Sequence, residues 1–136
     1  MKRSATAVWN GSGKEGSGHL ATQSRALSEA QYSSKSRFEE GVGTNPEELI
    51  AAAHGGCYSM KLSFILSAAG FEPDSIETTC TVSLDNGVIT GSHLSVKASV
   101  PGITPEKFQE CAEDAKANCP VSKALSIAIS LDASLS

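Results

Sequence analysis

Four cysteines, at positions 57, 80, 111 and 119, are the side chains of this 136-residue chain best suited to covalent chemistry. No two of them are spaced as C-x-x-C, so the spacing gives no support to a structural zinc or iron–sulfur site. Cys57 follows an uncharged stretch of small residues, and Cys119 directly precedes Pro120. Thiols in these two settings indicate redox chemistry rather than a structural disulfide framework.

The local sequence around each of these two cysteines allows a functional and a structural interpretation. Pro120 suits the first position of a helix, which makes Cys119 the expected N-cap, where free backbone N–H groups favour a thiolate. The alternative is a cap residue without chemistry. Cys57 follows Gly55 and Gly56, each of which costs a helix about 1 kcal/mol relative to alanine. That cost indicates close backbone approach, a kink or room for a substrate, and the alternative is a tight helix–helix crossing with Cys57 as filler.

The remaining cysteines and one histidine have simpler interpretations. Cys80 alternates with apolar residues and Cys111 lies on an apolar helical stripe, so both are predicted to be core residues. His54 stands three residues before Cys57, on the same helix face. A Cys–His nucleophile or a metal face would need a third member, and none stands at useful spacing. His54 is therefore predicted to be hydrogen-bonded and partly buried, and no metal or cofactor is expected.

A peroxide-reducing cysteine acts as the thiolate, and a nearby cation is the usual way to stabilise one, so Arg37 is the candidate cation. It closes a predicted strand, and an acid such as Glu47 could fix its guanidinium through two hydrogen bonds. The alternative is a surface ion pair of Arg37 with Glu39 or Glu40.

Composition excludes several classes of function. Hydrophobic residues make up 40% and charged residues 19%, which is typical of a globular protein with one core. The net charge of −4 and the scattered basic residues argue against a nucleic-acid or anionic-membrane surface. The N-terminal segment is too polar for a signal peptide, so a reducing cytoplasm is the expected compartment. The apolar stretch from Leu49 to Gly70 contains His54 and Lys61, which predicts a buried helix rather than a membrane span.

The sequence patterns predict an α+β fold in a single domain over residues 1–136. The clearest element is a helix with Asn45 as its cap, Pro46 in its first turn and Glu48 as a capping-box partner. This helix is apolar on nearly all sides and stops at Gly70, and so small a chain has few elements to cover it, which favours a dimer in which two such helices pack together. The other predicted elements are strands at Ala5 to Trp9, His19 to Gln23, Tyr32 to Phe38 and Ser75 to Leu84, a tight turn at Asp85 to Gly87, a return strand bulged near Gly91, a helix from Thr104, a short helix from Cys119 to Leu125 and a final strand around Ile127 to Leu131.

Three segments together resemble the OsmC/Ohr family of peroxiredoxin-like proteins. They are Gly43 to Leu49, Ala52 to Cys57 and Cys119 to Ser122, within a similarity that extends from about Trp9 to the final strand. The histidine before the cysteine and the segment from Ser36 to Glu39 are more like the OsmC branch than the Ohr branch. Two departures stand out: Gly55-Gly56 replaces a pair usually rich in alanine, and Tyr58 stands where phenylalanine is common.

The resemblance implies a thiol peroxidase that reduces organic hydroperoxides to alcohols, with hydrogen peroxide as a further substrate, in defence against oxidative and osmotic stress. Cys57 matches the peroxidatic cysteine, Cys119 the resolving cysteine, Glu47 the site glutamate and Arg37 the arginine of the OsmC branch, with Arg25 as a reserve candidate. The resemblance also implies antiparallel strands around a long buried central helix, an intertwined homodimer with sites at the subunit interface, and reduction by a dithiol of the lipoyl type without metal, flavin or haem.

The positions of two matched residues add a geometric constraint. Glu47 and Cys57 are ten residues apart, which is about 15 Å along a straight helix. They share one site only if a long arginine bridges them, the helix breaks near Gly55, or Glu47 comes from the other chain, and the last is expected. Two other functions stay open: a small-molecule or acyl-chain carrier with incidental cysteines, and a thiol redox sensor without turnover.

Overall fold

The computed structural model describes all 136 residues and has the predicted α+β composition. The chain divides into two compact units, Met1–Leu49 (unit 1) and Ile50–Ser136 (unit 2). Its elements are the strands β1 (Ala5–Asn10), β2 (Ser17–Thr22) and β3 (Ala30–Ser33), the helices α1 (Ser34–Phe38) and α2 (Pro46–Ala68), the strands β4 (Ser75–Asp85) and β5 (Val88–Ser99), the helices α3 (Pro105–Asn118) and α4 (Pro120–Ala124), and the strand β6 (Ala128–Leu135).

Unit 1 is built on an antiparallel sheet of three strands in the order β1-β2-β3. The glycine-rich segment between β1 and β2 is a hairpin loop. Gly18 on β2 leaves no room for a side chain, because a Cβ there would lie 2.7 Å from the Tyr32 side chain and 2.8 Å from that of Trp9. The rings of Trp9 and Tyr32 pack together with their centroids 5.2 Å apart.

The third strand is shorter than predicted. β3 ends at Ser33, and the following residues form α1 instead of continuing the strand to Phe38. The cause is a capping box that the hydrophobic pattern does not reveal: the Ser36 amide donates to Ser33 Oγ at 3.1 Å, and the Ser33 amide donates to Ser36 Oγ at 2.8 Å. Arg37 therefore lies on a short helix rather than at a strand end.

Helix α2 begins and ends where the sequence predicts. Its cap is Asn45, whose Oδ1 accepts a hydrogen bond from the Glu48 amide at 2.8 Å, although the Glu48 carboxylate accepts from the Thr44 hydroxyl at 2.7 Å instead of closing the capping box. The helix is continuous through Gly55-Gly56, so these glycines do not kink it. Gly70 follows the helix with a φ of +93°, a conformation that favours glycine.

By length and composition alone, α2 would be able to cross a membrane. However, Tyr58, Leu62 and Leu66 on one of its faces are fully buried in unit 2. Lys61 interrupts the apolar sequence in the same region. These features are those of a core helix, as predicted.

Unit 2 contains a second sheet of three strands in the order β4-β5-β6. Asn86 and Gly87 connect β4 to β5 with φ angles of 49° and 76°, which is the predicted tight turn with two left-handed residues. The predicted bulge is also present, since the register shifts beside Gly91 and leaves Thr90 as the extra residue.

The strand pairing corrects one part of the expected fold. β1–β2, β2–β3 and β4–β5 are antiparallel, as expected, but β5–β6 is parallel. α3 and α4 lie in the connection between β5 and β6, and a crossover connection brings the chain back in the same direction, whereas a hairpin reverses it.

The core of unit 2 ties α2 to the helix that leads to Cys119. Its buried residues on α2, β5 and α3 are Tyr58, Leu62, Leu66, Leu94, Val96, Ala98, Phe108, Cys111 and Ala115, with Cys80 half-buried against them. Both Cys80 and Cys111 therefore pack in the core, as predicted. The Tyr58 hydroxyl also donates to the Ala112 carbonyl on α3 at 3.0 Å. Because Tyr58 directly follows Cys57, this bond helps to set the position of Cys57 relative to α3.

Candidate active site

Two of the four thiols meet in unit 2. Cys57 Sγ on α2 lies 3.0 Å from Cys119 Sγ, which stands between α3 and α4. All four cysteines are free thiols. A disulfide needs a sulfur separation of about 2 Å, so the two side chains have to approach by only about 1 Å to form one. The geometry makes Cys57 and Cys119 a candidate dithiol–disulfide pair.

Cys119 has the surroundings of a thiolate. It is fully buried and is the N-cap of α4, as predicted. Burial raises the pKa of this thiol, but hydrogen bonds from Cys57, from the amide and hydroxyl of Ser122 and from the Val121 backbone outweigh burial and lower the pKa below the ordinary value of 9.0. The sulfur thus carries its negative charge at lower pH than a free cysteine does.

The pKa of Cys57 shifts the other way. Burial raises it, and the hydrogen bond with Cys119 raises it further, while a backbone hydrogen bond from Val121 and the charge of Lys61 oppose the rise. The two shifts therefore favour the anion on Cys119 over an anion on Cys57.

An apolar cavity opens beside Cys57. Its volume is about 260 Å³, and Met60, Lys61, Phe64 and Pro120 line it together with Cys57 itself. Met60 and Phe64 are 64% and 67% exposed in the single chain, which is unusual for side chains of this size and polarity. The cavity fits an apolar molecule with one end at the Cys57 sulfur.

Arg37 and Glu47 form an ion pair in unit 1. Arg37 Nε and Nη2 both lie 3.0 Å from Glu47 Oε1, and the guanidinium carbon stands 5.2 Å from the centre of the Phe38 ring. Arg37 pairs with Glu47 rather than with Glu39 or Glu40. The reserve candidate, Arg25, lies in an exposed turn with a φ of 66°.

Only one of the two oxygens of the Glu47 carboxylate is hydrogen-bonded. Its side chain is 9% exposed, and its second oxygen, Oε2, is buried without a hydrogen-bond partner. An unpartnered carboxylate oxygen in such surroundings is costly, and Oε2 is free to accept a hydrogen bond.

His54 is more deeply buried than predicted. Its Nδ1 lies 2.7 Å from Ser92 Oγ, its Nε2 lies 2.8 Å from Ser122 Oγ, and it has no exposed surface. Burial lowers the pKa of this histidine, so it is neutral at pH 7. Ser92 and Ser122 were not predicted as site residues. Ser122 belongs to the motif that begins at Cys119, but nothing in the local sequence of Ser92 marks it.

No group of three or more His, Cys, Asp or Glu side chains is arranged to hold a metal ion. The groups described above are, in unit 2, the two thiols and the buried histidine and, in unit 1, the Arg37–Glu47 ion pair.

Comparison with known proteins decides the family. The family model described as OsmC-like protein matches residues 38–134. This range includes three of the four predicted site residues, and Arg37 directly precedes it. The chain belongs to the OsmC-like family. It is 45% identical to peroxiredoxin OsmC of Escherichia coli, over 97% of this chain and 95% of that protein. It is also 32% identical to the organic hydroperoxide resistance protein OhrB of Bacillus subtilis, over 79% of this chain and 80% of that protein.

Solved structures of the OsmC-like family have the same fold. The crystal structure of OhrB from Bacillus subtilis has a TM-score of 0.67 at 25% identity and covers 98% of each chain. An OsmC-like protein of unknown function from Vibrio cholerae has a TM-score of 0.78 at 15% identity over 98% of this chain and 99% of that one. The second comparison shows the fold alone.

The thiol geometry predicts which disulfide forms. Mild oxidation with diamide is expected to join Cys57 to Cys119 and to leave the far-ultraviolet circular dichroism unchanged, because the sulfurs need to move by only about 1 Å. Peptide mapping by mass spectrometry without reduction checks the pairing. Cys111→Ala, which removes a core thiol, should give the same disulfide. A disulfide that includes Cys80 or Cys111 in the wild-type protein would contradict this geometry.

Proposed function

We propose that this protein is a cysteine-based peroxidase that reduces organic hydroperoxides in oxidative and osmotic stress defence. The 3.0 Å contact between Cys57 and Cys119 is the observation that carries the proposal. The 45% identity of this chain to peroxiredoxin OsmC of Escherichia coli supports the same activity. We further propose that both units act as one OsmC-like domain over residues 1–136, in a reducing cytoplasm.

The reaction begins at Cys57. Its thiolate attacks one oxygen of the hydroperoxide, so a sulfur–oxygen bond forms while the oxygen–oxygen bond breaks. The alkoxide leaves with the electron pair and takes up a proton to become the alcohol. Cys57 is thereby oxidised to a sulfenic acid, and Cys119 displaces water from it to give the disulfide.

The cavity beside Cys57 suits an organic hydroperoxide better than hydrogen peroxide. Met60 and Phe64 offer apolar surface to the hydrocarbon part of a hydroperoxide, while its peroxide group meets the sulfur. Hydrogen peroxide has no such part to bury, so it is the poorer substrate of the two.

An external dithiol restores the reduced state by attacking the disulfide. Cys119 is fully buried, whereas Cys57 is half-buried and lines the open cavity. The dithiol therefore attacks Cys57 and releases Cys119, which leaves readily because its pKa is low. A lipoyl-type dithiol, with an apolar chain that the cavity can accommodate, is the proposed reductant.

A homodimer would complete the site. Met60 and Phe64 are exposed on the face of α2 beside Cys57, and burying them against a second copy would remove apolar surface from water. Glu47 Oε2 lacks a donor in the single chain. Because α2 is unbroken, the ten residues between Glu47 and Cys57 span about 15 Å. We propose that the Arg37–Glu47 pair of one chain serves Cys57 of the other.

The peroxidase proposal predicts distinct effects of the two thiols. With cumene hydroperoxide and a dithiol, the wild-type protein should turn over, Cys57→Ser should be inactive, and Cys119→Ser should lose its catalytic cycle and become over-oxidised at Cys57. Hydroperoxide consumption and intact-protein mass measure these outcomes, with Cys111→Ala as the matched control that should stay active. If the wild-type protein consumes no hydroperoxide with any dithiol but binds apolar ligands, the carrier function replaces this proposal.

The role proposed for Arg37 predicts a shift in the pKa of Cys57. In a Cys119→Ser background, Arg37→Ala should raise this pKa by about one unit or more, because an opposite charge near a thiolate lowers its pKa by that amount. The thiolate, and with it the rate of peroxide attack, would then be lost at higher pH than in the Arg37 protein. Thiolate absorbance and attack rates across pH measure the shift. Arg25→Ala is the control, and a shift caused by Arg25→Ala but not by Arg37→Ala would refute the assignment.

The dimer proposal predicts a sharp effect at Phe64. Phe64→Asp places a charge on the exposed face of α2 and should convert the dimer to a monomer with little peroxidase activity. Val88→Asp, at a position that is also exposed (59%) but lies on the β4–β5 hairpin, should stay dimeric and active. Sedimentation velocity gives the oligomeric state. A fully active monomer would rule out a site shared between chains.

A further inference from the structure

A chain of hydrogen-bonding side chains extends from Cys119 into the interior of unit 2. Ser122 lies in the first turn of α4, the helix that Cys119 caps, and a side chain at this position can reach back towards the cap residue. Its amide and hydroxyl are among the groups that lower the pKa of Cys119. His54 on α2 lies 2.8 Å from the Ser122 oxygen and 2.7 Å from that of Ser92 on β5. Ser92 Oγ in turn lies 3.1 Å from Cys80 Sγ on β4. Apart from Cys119, none of the residues in this row of hydrogen bonds has a role in the peroxidase cycle described above.

The hydrogen bonds of this chain can all point in one direction. A neutral imidazole donates through one nitrogen and accepts through the other. If the Ser122 hydroxyl donates to the Cys119 sulfur, its oxygen is free to accept from His54 Nε2–H. His54 Nδ1 then accepts from the Ser92 hydroxyl, and Ser92 accepts from the Cys80 thiol. Every donor is used once, and every proton points towards Cys119.

We propose that His54 is a positioning residue for the disulfide-forming half of the reaction: it holds Ser122 so that the Ser122 hydroxyl donates to Cys119 while Cys119 attacks the oxidised Cys57. This inference rests on the proposed peroxidase cycle. It assigns the buried histidine to the resolving thiol, although His54 is close in sequence to Cys57.

Disulfide formation, the step that His54 is proposed to assist, needs no further reactant. The Cys119 thiolate attacks the sulfur of the Cys57 sulfenic acid, a sulfur–sulfur bond forms, and the sulfur–oxygen bond breaks. Hydroxide leaves with the electron pair and takes a proton from solvent to become water. The step competes with a second molecule of hydroperoxide, which would oxidise Cys57 to the sulfinic acid, so a faster attack by Cys119 protects the enzyme.

The groups around Cys119 support a role for the Ser122 hydroxyl in stabilising the Cys119 thiolate. The other titratable side chains that act on the charge of Cys119 are Cys57 and Tyr58 of α2. Burial raises the pKa of Tyr58 well above its ordinary value, so it stays neutral, and Cys57 is a sulfenic acid at this stage. No lysine or arginine takes part in the interactions that lower the pKa of Cys119. Once Cys57 is oxidised, the groups left to stabilise the anion in the resolving step are the Ser122 amide, the Ser122 hydroxyl and the Val121 backbone.

A matched pair of substitutions separates the two nitrogens of His54. His54→Gln places an amide N–H near the position of Nε2 and keeps a donor to Ser122. His54→Asn places its amide near Nδ1 and leaves Ser122 without that donor. Both variants are neutral, polar and smaller than histidine, so a merely structural role of His54 predicts similar effects of the two.

The first measurement is the pKa of Cys119 in a Cys57→Ser background, followed by thiolate absorbance. His54→Asn and Ser122→Ala should raise this pKa, whereas His54→Gln and Ser122→Thr should leave it near the parent value. This readout does not depend on peroxidase activity. A pKa that none of the four substitutions moves would overturn the inference even if the enzyme is an active peroxidase.

The second measurement is a single turnover with cumene hydroperoxide, in which dimedone trapping and intact mass follow the sulfenic acid and the disulfide separately. His54→Asn and Ser122→Ala should leave sulfenic acid formation unchanged and slow disulfide formation about tenfold, the loss expected for one hydrogen bond to a charged group. Sulfinic acid should accumulate, and His54→Gln should restore the wild-type rate. Equal slowing of both steps, or lower thermal stability with unchanged rates, would overturn the role of His54. Absence of sulfenic acid in the wild-type protein would instead overturn the peroxidase proposal and this role with it.

Discussion

The contact between the sulfurs of Cys57 and Cys119 is the constraint on which the rest of this structure depends. The two residues lie 62 positions apart in the chain, and the core of unit 2, which includes residues of α2 and α3, holds their sulfurs 3.0 Å apart. Packing of Leu62 and Leu66 and the hydrogen bond from the Tyr58 hydroxyl to α3 do this. Cys119 is buried in this core and Cys57 is half-buried against it, and a close-packed core resists small displacements of the residues that it holds.

The same contact affects which of the two sulfurs carries the negative charge. Two thiols in hydrogen-bond contact cannot both ionise easily, and the hydrogen bonds from Ser122 and Val121 favour the anion on Cys119. That arrangement suits the sulfur that attacks second. The sulfur that attacks first needs a cation, and the proposed dimer would provide it. In the proposed cycle, the resolving thiol would depend on the buried interior of its own chain, and the peroxidatic thiol on a neighbouring chain.

Helix α2 serves both halves because its faces differ. One face carries the core residues and His54, which reaches Ser92 and Ser122. Another carries Met60 and Phe64 beside Cys57, exposed in the single chain. A helix that is apolar around most of its circumference is stable only if both faces are covered, and this requirement links the fold of the chain to its assembly. Gly55 and Gly56 lie between His54 and Cys57 and do not kink the helix. A Cβ at Gly55 would make only an ordinary contact of 3.5 Å with the Cys80 side chain.

Local signals in the sequence were enough to predict the caps, turns and most elements of this protein, since these depend on residues a few positions apart. Asn45, Gly70, Asn86-Gly87 and Cys119-Pro120 all mark boundaries that the structure has. The prediction was wrong at α1, where a Ser33–Ser36 capping box overrode the strand pattern, and at β6, whose parallel pairing follows from the crossover through α3 and α4. Motif resemblance selected Cys57 and Cys119 correctly as the two cysteines that meet, but local sequence does not predict which sulfur carries the charge. Only the tertiary structure decided this, because burial and the hydrogen bonds from Ser122, supported by His54, come from segments far apart in the chain.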